Sequence, residues 1–202
     1  MVGRGGHHLD VAFVRYISHP ESAIDPDVAV SEWRLSSRGL GRARRCLDQP
    51  WVSAITRIVS SPEGKAIEMA TVLGDHLRVP IETRDATAEV DRSSTGFVSP
   101  AEHERLADRL FAEPQSSARG WETANHAQAR IASAVADLLV PSDAGDIAIV
   151  GHGGVGTLLM CWLAEVPIDR GHDQPGQGQY WSYDLTHGRM VHQWKPIDSI
   201  GT

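Results

Sequence analysis

Two short apolar runs organise the chain. Val11–Ile17 is apolar apart from Arg15, mostly β-branched or aromatic, and halted by Pro20. It is too short for a helix, so the pattern predicts a buried parallel strand. Ile147–Val150 reads the same way. Each run ends in a loop carrying an imidazole: Ser18-His19-Pro20-Glu21-Ser22 after the first, Gly151-His152-Gly153-Gly154 after the second. Ligands of open α/β sheets gather beyond the carboxyl ends of strands, so the pattern brings two histidines to one edge.

The segments between these runs alternate strand and helix periods. Leu40, Ala43 and Leu47 predict a helix over Arg38–Leu47, capped by Ser36 or Ser37. Ala54–Val59 reads as a strand. Ser61 as N-cap and Pro62 at the first helical position start a helix with Ala66, Ala70, Leu73 and Leu77 on one face, fraying at Gly74. Val79–Thr83 is a brief edge strand, because Pro80 lacks a ladder donor. Arg84–Gly96 is a polar loop. Ser99-Pro100-Ala101-Glu102 fits a capping box and opens a helix within an insertion at about 97–118. Trp121–Val140 carries the longest apolar stripe, Pro141–Gly145 turns the chain, and Val155–Leu163 is a buried helix. Asp169–Gln179, with three glycines and Pro175, predicts a mobile loop, and Tyr180–Leu185 with Arg189–Trp194 a closing hairpin. The expected architecture is a doubly wound α/β fold, a mostly parallel sheet with helices on both faces, in a single domain over 1–202.

Composition narrows the partners. A formal net charge of −7 and a pI near 5.8 disfavour nucleic acid and anionic membranes. Cys46 and Cys161 show no paired spacing, and no apolar run reaches membrane length, which points to a cytoplasmic protein. Met1–His8 lacks the apolar core of a signal peptide. A protein of this charge that binds an anion must concentrate cations at the site.

Taken singly, the candidate residues are ordinary. His19 reads as a hydrogen-bonding loop histidine, the glycines around His152 as a tight turn, and Lys65 as a solvated lysine. Their order is more specific. Ser18-His19-Pro20-Glu21-Ser22, Leu35-Ser36-Ser37-Arg38-Gly39, Ser60-Ser61-Pro62-Glu63-Gly64-Lys65-Ala66, then Glu89, then Gly151-His152-Gly153-Gly154 together resemble the histidine phosphatase (phosphoglycerate-mutase-like) superfamily.

That resemblance implies a three-layer sandwich and a phosphomonoester hydrolase without cofactor or metal. Its ligand is a small phosphorylated substrate or phosphate ion. His19 would attack phosphorus to give a phosphohistidine. Lys65, His152, Ser18, Gly153 and Arg92 would surround the phosphoryl oxygens. Glu89 would donate a proton to the leaving alcohol and then activate water, which needs a raised pKa. Selection of the leaving group falls to the loops Ala23–Trp33 and Arg92–Leu110.

Three positions depart from the family pattern: Ser18 and Lys65 stand where it has arginines, and Pro20 where it has glycine. Arg15 and Arg92 are candidates to compensate, with a buried ion pair the rival account of Arg15. Three other readings stay open: an impaired member that binds a phosphorylated ligand or partner, a mutase, and a dinucleotide-binding protein built on Gly151–Gly156.

Overall fold

The computed structural model describes residues 12–140 and 145–199. Val11, the amino-terminal segment and most of the predicted Pro141–Gly145 turn lie outside them. Among the described residues six strands form one sheet: β1 Phe13–Ser18, β2 Ile55–Ser60, β3 Ile81–Thr83, β4 Asp146–Gly151, β5 Gln179–Asp184 and β6 Arg189–Pro196. Their order across the sheet is β3-β2-β4-β1-β5-β6. The first four run parallel, and β5 and β6 close the sheet as an antiparallel hairpin. This is the mostly parallel α/β sheet that the alternating pattern predicts.

The α-helices among the described residues are α1 Ser37–Cys46, α2 Gly64–Leu77, α3 Pro100–Ala112, α4 Ala124–Val135 and α5 Gly153–Leu163. The period-2 alternation of the strands sorts their side chains between two cores. Val14, Tyr16, Val59, Ile147 and Ile149 pack with α4 and α5. Ile17, Ile58, Ala148 and Val150 pack with α1 and α2. A third cluster joins Leu106, Leu110 and Phe111 of α3 to Trp121, Ala127 and Leu158.

Several boundaries move for identifiable reasons. Ser36 caps α1 by accepting from the Gly39 N–H, and Ser99 caps α3 through the Glu102 N–H, both as the sequence suggests. Ser61 does not cap α2. Its Oγ accepts from the Glu63 N–H, and the helix begins only at Gly64. Gly74 is internal to α2: a Cβ there would press on the Val79 carbonyl and Ile81, so glycine lets the chain fold back closely. The helix ends at Arg78, which takes the left-handed conformation at φ 58°. Trp121 precedes α4, because its ring is drawn into the third core and its Nε1 donates to Thr95 Oγ1 at 2.9 Å. Thr123 supplies that cap.

The Asp169–Gln179 loop is tied down. Asp173 Oδ1 accepts from Thr157 Oγ1 and its Oδ2 pairs with Arg170, while Arg42 donates to the carbonyls of Gln177 and Gly178. Among the described residues no helix is long and apolar enough to cross a membrane.

Candidate active site

The central sheet register sets the site. Ser18 of β1 pairs with Gly151 of β4, so the next residues, His19 and His152, emerge side by side. The His19 N–H donates to the Gly151 carbonyl at 2.9 Å, and the Gly178 N–H donates to the His19 carbonyl at 3.0 Å. The two rings stand edge to face with centroids 5.2 Å apart. At the end of β2, the Ser61 N–H donates to the Val150 carbonyl, which brings the start of α2 to the same edge.

His19 is almost fully buried. Burial first, then the neighbouring His152 and Lys65, push its pKa down to about 3, against the Pro20 carbonyl and Glu89, which favour the charge. Its Nδ1 lies 2.8 Å from that carbonyl. A neutral ring with the proton on Nδ1 donates there and leaves the Nε2 lone pair free. Burial also lowers the pKa of His152, opposed by Glu63 and Glu89. The His152 Nε2 is 2.7 Å from Ser61 Oγ, and its Nδ1 is buried with no partner among the described residues.

Tyr16 supports this corner from below. Its hydroxyl donates to the His152 carbonyl and accepts the His152 N–H, both at 3.0 Å. A Cβ on Gly151 or Gly156 would collide with the Tyr16 ring, one on Gly153 with Gln174, and one on Gly154 would lie 2.8 Å from Glu89 Oε1. The glycines therefore admit this chain's own side chains.

Glu89 sits on the amino end of α5. Its Oε1 accepts from Val155 N at 2.8 Å and Val90 N at 2.9 Å, and its Oε2 from Gly154 N at 3.2 Å. Burial opposes its charge, but His152, Arg92 and those N–H groups outweigh burial and leave the pKa lowered. The expectation of a raised pKa is thus reversed, because the helix end provides anion-binding N–H groups.

The cations are placed differently from expectation. Lys65 is 3% exposed, and its Nζ donates to Glu63 Oε2 at 2.5 Å and to the Val30 carbonyl at 2.7 Å. Ser18 is buried, donating to Gln174 Oε1 at 2.6 Å while its Oγ accepts from Gln179 N at 3.0 Å. It anchors the Gln174 loop where a phosphate contact was expected. Arg15 is bonded to Asp146 and Ser182 near the amino end of β1, far along the strand from His19. It forms a buried ion pair there. Arg92 lies over the Trp121 ring and contacts His103 Nε2, yet remains close enough to Glu89 and His152 to lower both pKa values. Cations are therefore balanced by acids at this site, contrary to the expected excess.

Two participants escaped the sequence pattern. Glu63 looks like an ordinary first-turn acid, yet its Oε1 accepts from Glu89 N at 3.0 Å and lies 3.4 Å from His152 Nε2. Burial opposes its charge, but His152 and Lys65 hold its pKa at about 2. Gln174 sits in a glycine-rich stretch without periodicity, which carries no local signal. The loops expected to select the leaving group do meet: Trp33 and Phe97 are 5.6 Å apart. A groove of about 790 Å³ lined by Trp162, Val166 and Tyr183 opens beyond the opposite, amino end of β1.

A family model described as histidine phosphatase superfamily (branch 1) matches residues 27–191, beginning after His19. No curated protein matches the sequence. Among solved structures, mycobacterial glucosyl-3-phosphoglycerate phosphatase with inorganic phosphate is similar at TM-score 0.77 and 17% identity, over 93% of this chain and 99% of that one. The same enzyme with VO3 gives TM-score 0.69 and 16% identity, over 95% and 100%. An Entamoeba histolytica phosphoserine phosphatase mutant in complex with phosphoserine gives 0.73 and 14%, over 92% and 98%. At these identities the likeness establishes the fold.

Proposed function

The chain belongs to the histidine phosphatase superfamily, and from that premise we propose that it hydrolyses phosphomonoesters through a phosphohistidine on His19. One observation carries the reading: His19 is a neutral imidazole, fixed by the Pro20 carbonyl through Nδ1, beside His152 at the carboxyl edge of adjacent strands. Nε2 attacks phosphorus as the phosphorus–oxygen bond to the alcohol breaks. His152, Lys65, Arg92 and the Gly153 end of α5 stabilise the phosphoryl oxygens.

Glu89 starts as a carboxylate. The incoming phosphoryl charge beside it raises its pKa, so it carries the proton to the leaving oxygen and then takes one from the hydrolytic water. The phosphate and vanadate bound by structurally similar proteins support a phosphoryl ligand.

The test is turnover of an aryl phosphate with trapping of an acid-labile, base-stable phosphoenzyme in the wild type and in His19→Ala. Turnover without that adduct, or turnover retained in His19→Ala, would remove His19 as nucleophile. A second reading, binding of a phosphorylated ligand without turnover, is favoured by the Glu63–Lys65 pair that already occupies the site lysine. Phosphate binding without hydrolysis of any ester would select it.

A further inference from the structure

The mechanism above gives Glu63 no role, although its carboxylate is nine-tenths buried against the site. The helix start does not explain it, since Glu63 makes no side-chain capping bond. One oxygen pairs with Lys65, while the other reaches the Glu89 N–H and His152. Counting Lys65 and Arg92 as cations and Glu63 and Glu89 as anions, with both histidines neutral, the immediate surroundings sum to zero.

We propose that Glu63 is a specificity-determining residue that makes the site select a phosphoryl group carrying one negative charge over one carrying two. The location of the phosphoryl group rests on the phosphatase reading; the assignment of its charge goes beyond it. A dianion must either pull Lys65 from Glu63 or lie beside a fixed carboxylate, and like charges a few ångströms apart in a poorly solvated site repel strongly. A monoanion retains a P–O–H. That hydroxyl can donate to the Glu63 carboxylate, which converts the repelling group into an acceptor while another phosphoryl oxygen shares Lys65.

The groups that act on Glu63 are Lys65 from α2, His152 from the β4–α5 junction, Tyr16 from β1 and the Glu89 N–H from the loop after β3, while His19 and Arg92 act on His152 and Glu89 behind them. The pKa is about 3 for His19 and about 2 for Glu63, lowered for Glu89 and His152, and raised for Tyr16. A phosphomonoester takes up its second proton near pH ~6, so the ligand itself changes charge across the neutral range.

The experiment is calorimetric titration of the full chain and of Glu63→Gln with inorganic phosphate and with sulfate, at about pH 5.5 and about pH 8.5. Sulfate is a dianion at both, so it separates ligand protonation from protein protonation. The wild type is expected to bind phosphate at least ~10-fold tighter at the lower pH, with sulfate weak and little changed. Glu63→Gln is expected to bind either dianion at least ~10-fold tighter than the wild type at the higher pH and to lose the acid preference. Four results would each overturn the inference: equal phosphate affinity at both pH values in the wild type, an acid gain as large for sulfate as for phosphate, no gain in Glu63→Gln, or no anion binding by either protein. Should Glu63→Gln fail to fold, the wild-type phosphate and sulfate pair decides alone. Failure of the phosphatase reading shows separately, as anion binding with these preferences but no phosphohistidine and no turnover.

Discussion

Lys65 and Glu63, two positions apart at the start of α2, form a 2.5 Å ion pair with both side chains at least about nine-tenths buried. The pair is local in sequence but lies among residues from four segments: Val30, Glu89, His152 and the α2 start. Removing one partner leaves an uncompensated buried charge, which typically costs about 3–5 kcal/mol. Lys65→Gln should therefore unfold at markedly lower denaturant than the wild type, and Glu63→Gln added to it should restore most of the loss. Chemical denaturation of the two singles and the double completes the cycle. Additive losses in the double would mean the two side chains are not coupled.

The depressed pKa values fix the sign of acid sensitivity. His19 is lowered from 6.5 to about 3, so between those values the unfolded chain binds a proton that the folded chain excludes. Stability then rises with pH through that window and falls as pH drops from about 6.5. Glu63, lowered from 4.5 to about 2, adds a further loss below about 4.5 with the same sign. The melting temperature should decline from neutrality to about pH 4, and His19→Asn should flatten the first part of that decline. An unchanged slope would place the titration on other groups.

Glu89→Gln tests the proton role against the capping role. As proton donor, Glu89 should matter most for poor leaving groups, so turnover of an alkyl phosphate should fall by roughly 10²–10⁴ and that of an aryl phosphate less. As an acceptor of three N–H groups around α5, it also contributes stability, and the variant should lose about 1–2 kcal/mol. Equal effects on both esters, with only the stability loss, would leave Glu89 a structural anchor.

Arg92 and Arg15 separate a site cation from a strand cation. Arg92→Ala should raise the inhibition constants of phosphate and vanadate about tenfold or more, as expected for loss of a charged donor. Arg15→Ala should leave those constants unchanged while destabilising the protein, because it strands Asp146. The opposite pattern would relocate the anion.

Tyr16→Phe removes one hydroxyl that serves both the N–H and the carbonyl of His152. Leaving those buried groups unpaired should cost about 1–3 kcal/mol. Turnover should fall too, through loss of His152 alignment, with KM changed less than kcat. Full activity in a destabilised variant would restrict Tyr16 to packing.

Much of this was legible because it is local. The runs ending at Ile17 and Val150 specify adjacent buried strands, and Ser36 and Ser99 mark their helices by a short side-chain reach to a nearby N–H. The tertiary assignments were harder. Ser61 faces His152 and the Glu63 N–H rather than capping, so α2 starts later than its Ser-Pro signal indicates. Trp121 leaves the helical stripe for a core built by α3. Glu63 and Ser18 carry no local signal of these contacts, because their partners, His152 and Gln174, are far off in the chain. A carboxylate beside a lysine carries no sequence mark of whether it faces water or the site.

The His19 amide is the last rung of the β1–β4 ladder, donating to Gly151 at the point where both strands end. Amides in the middle of a central parallel sheet exchange with solvent only through the largest openings of a protein. Here that protected zone extends to His19 itself. The two imidazoles thus follow directly on the central sheet, while Trp33 and Phe97 lie on loops outside it. Deuterium uptake should therefore be slow at the His19 amide and faster at the loops of Trp33 and Phe97.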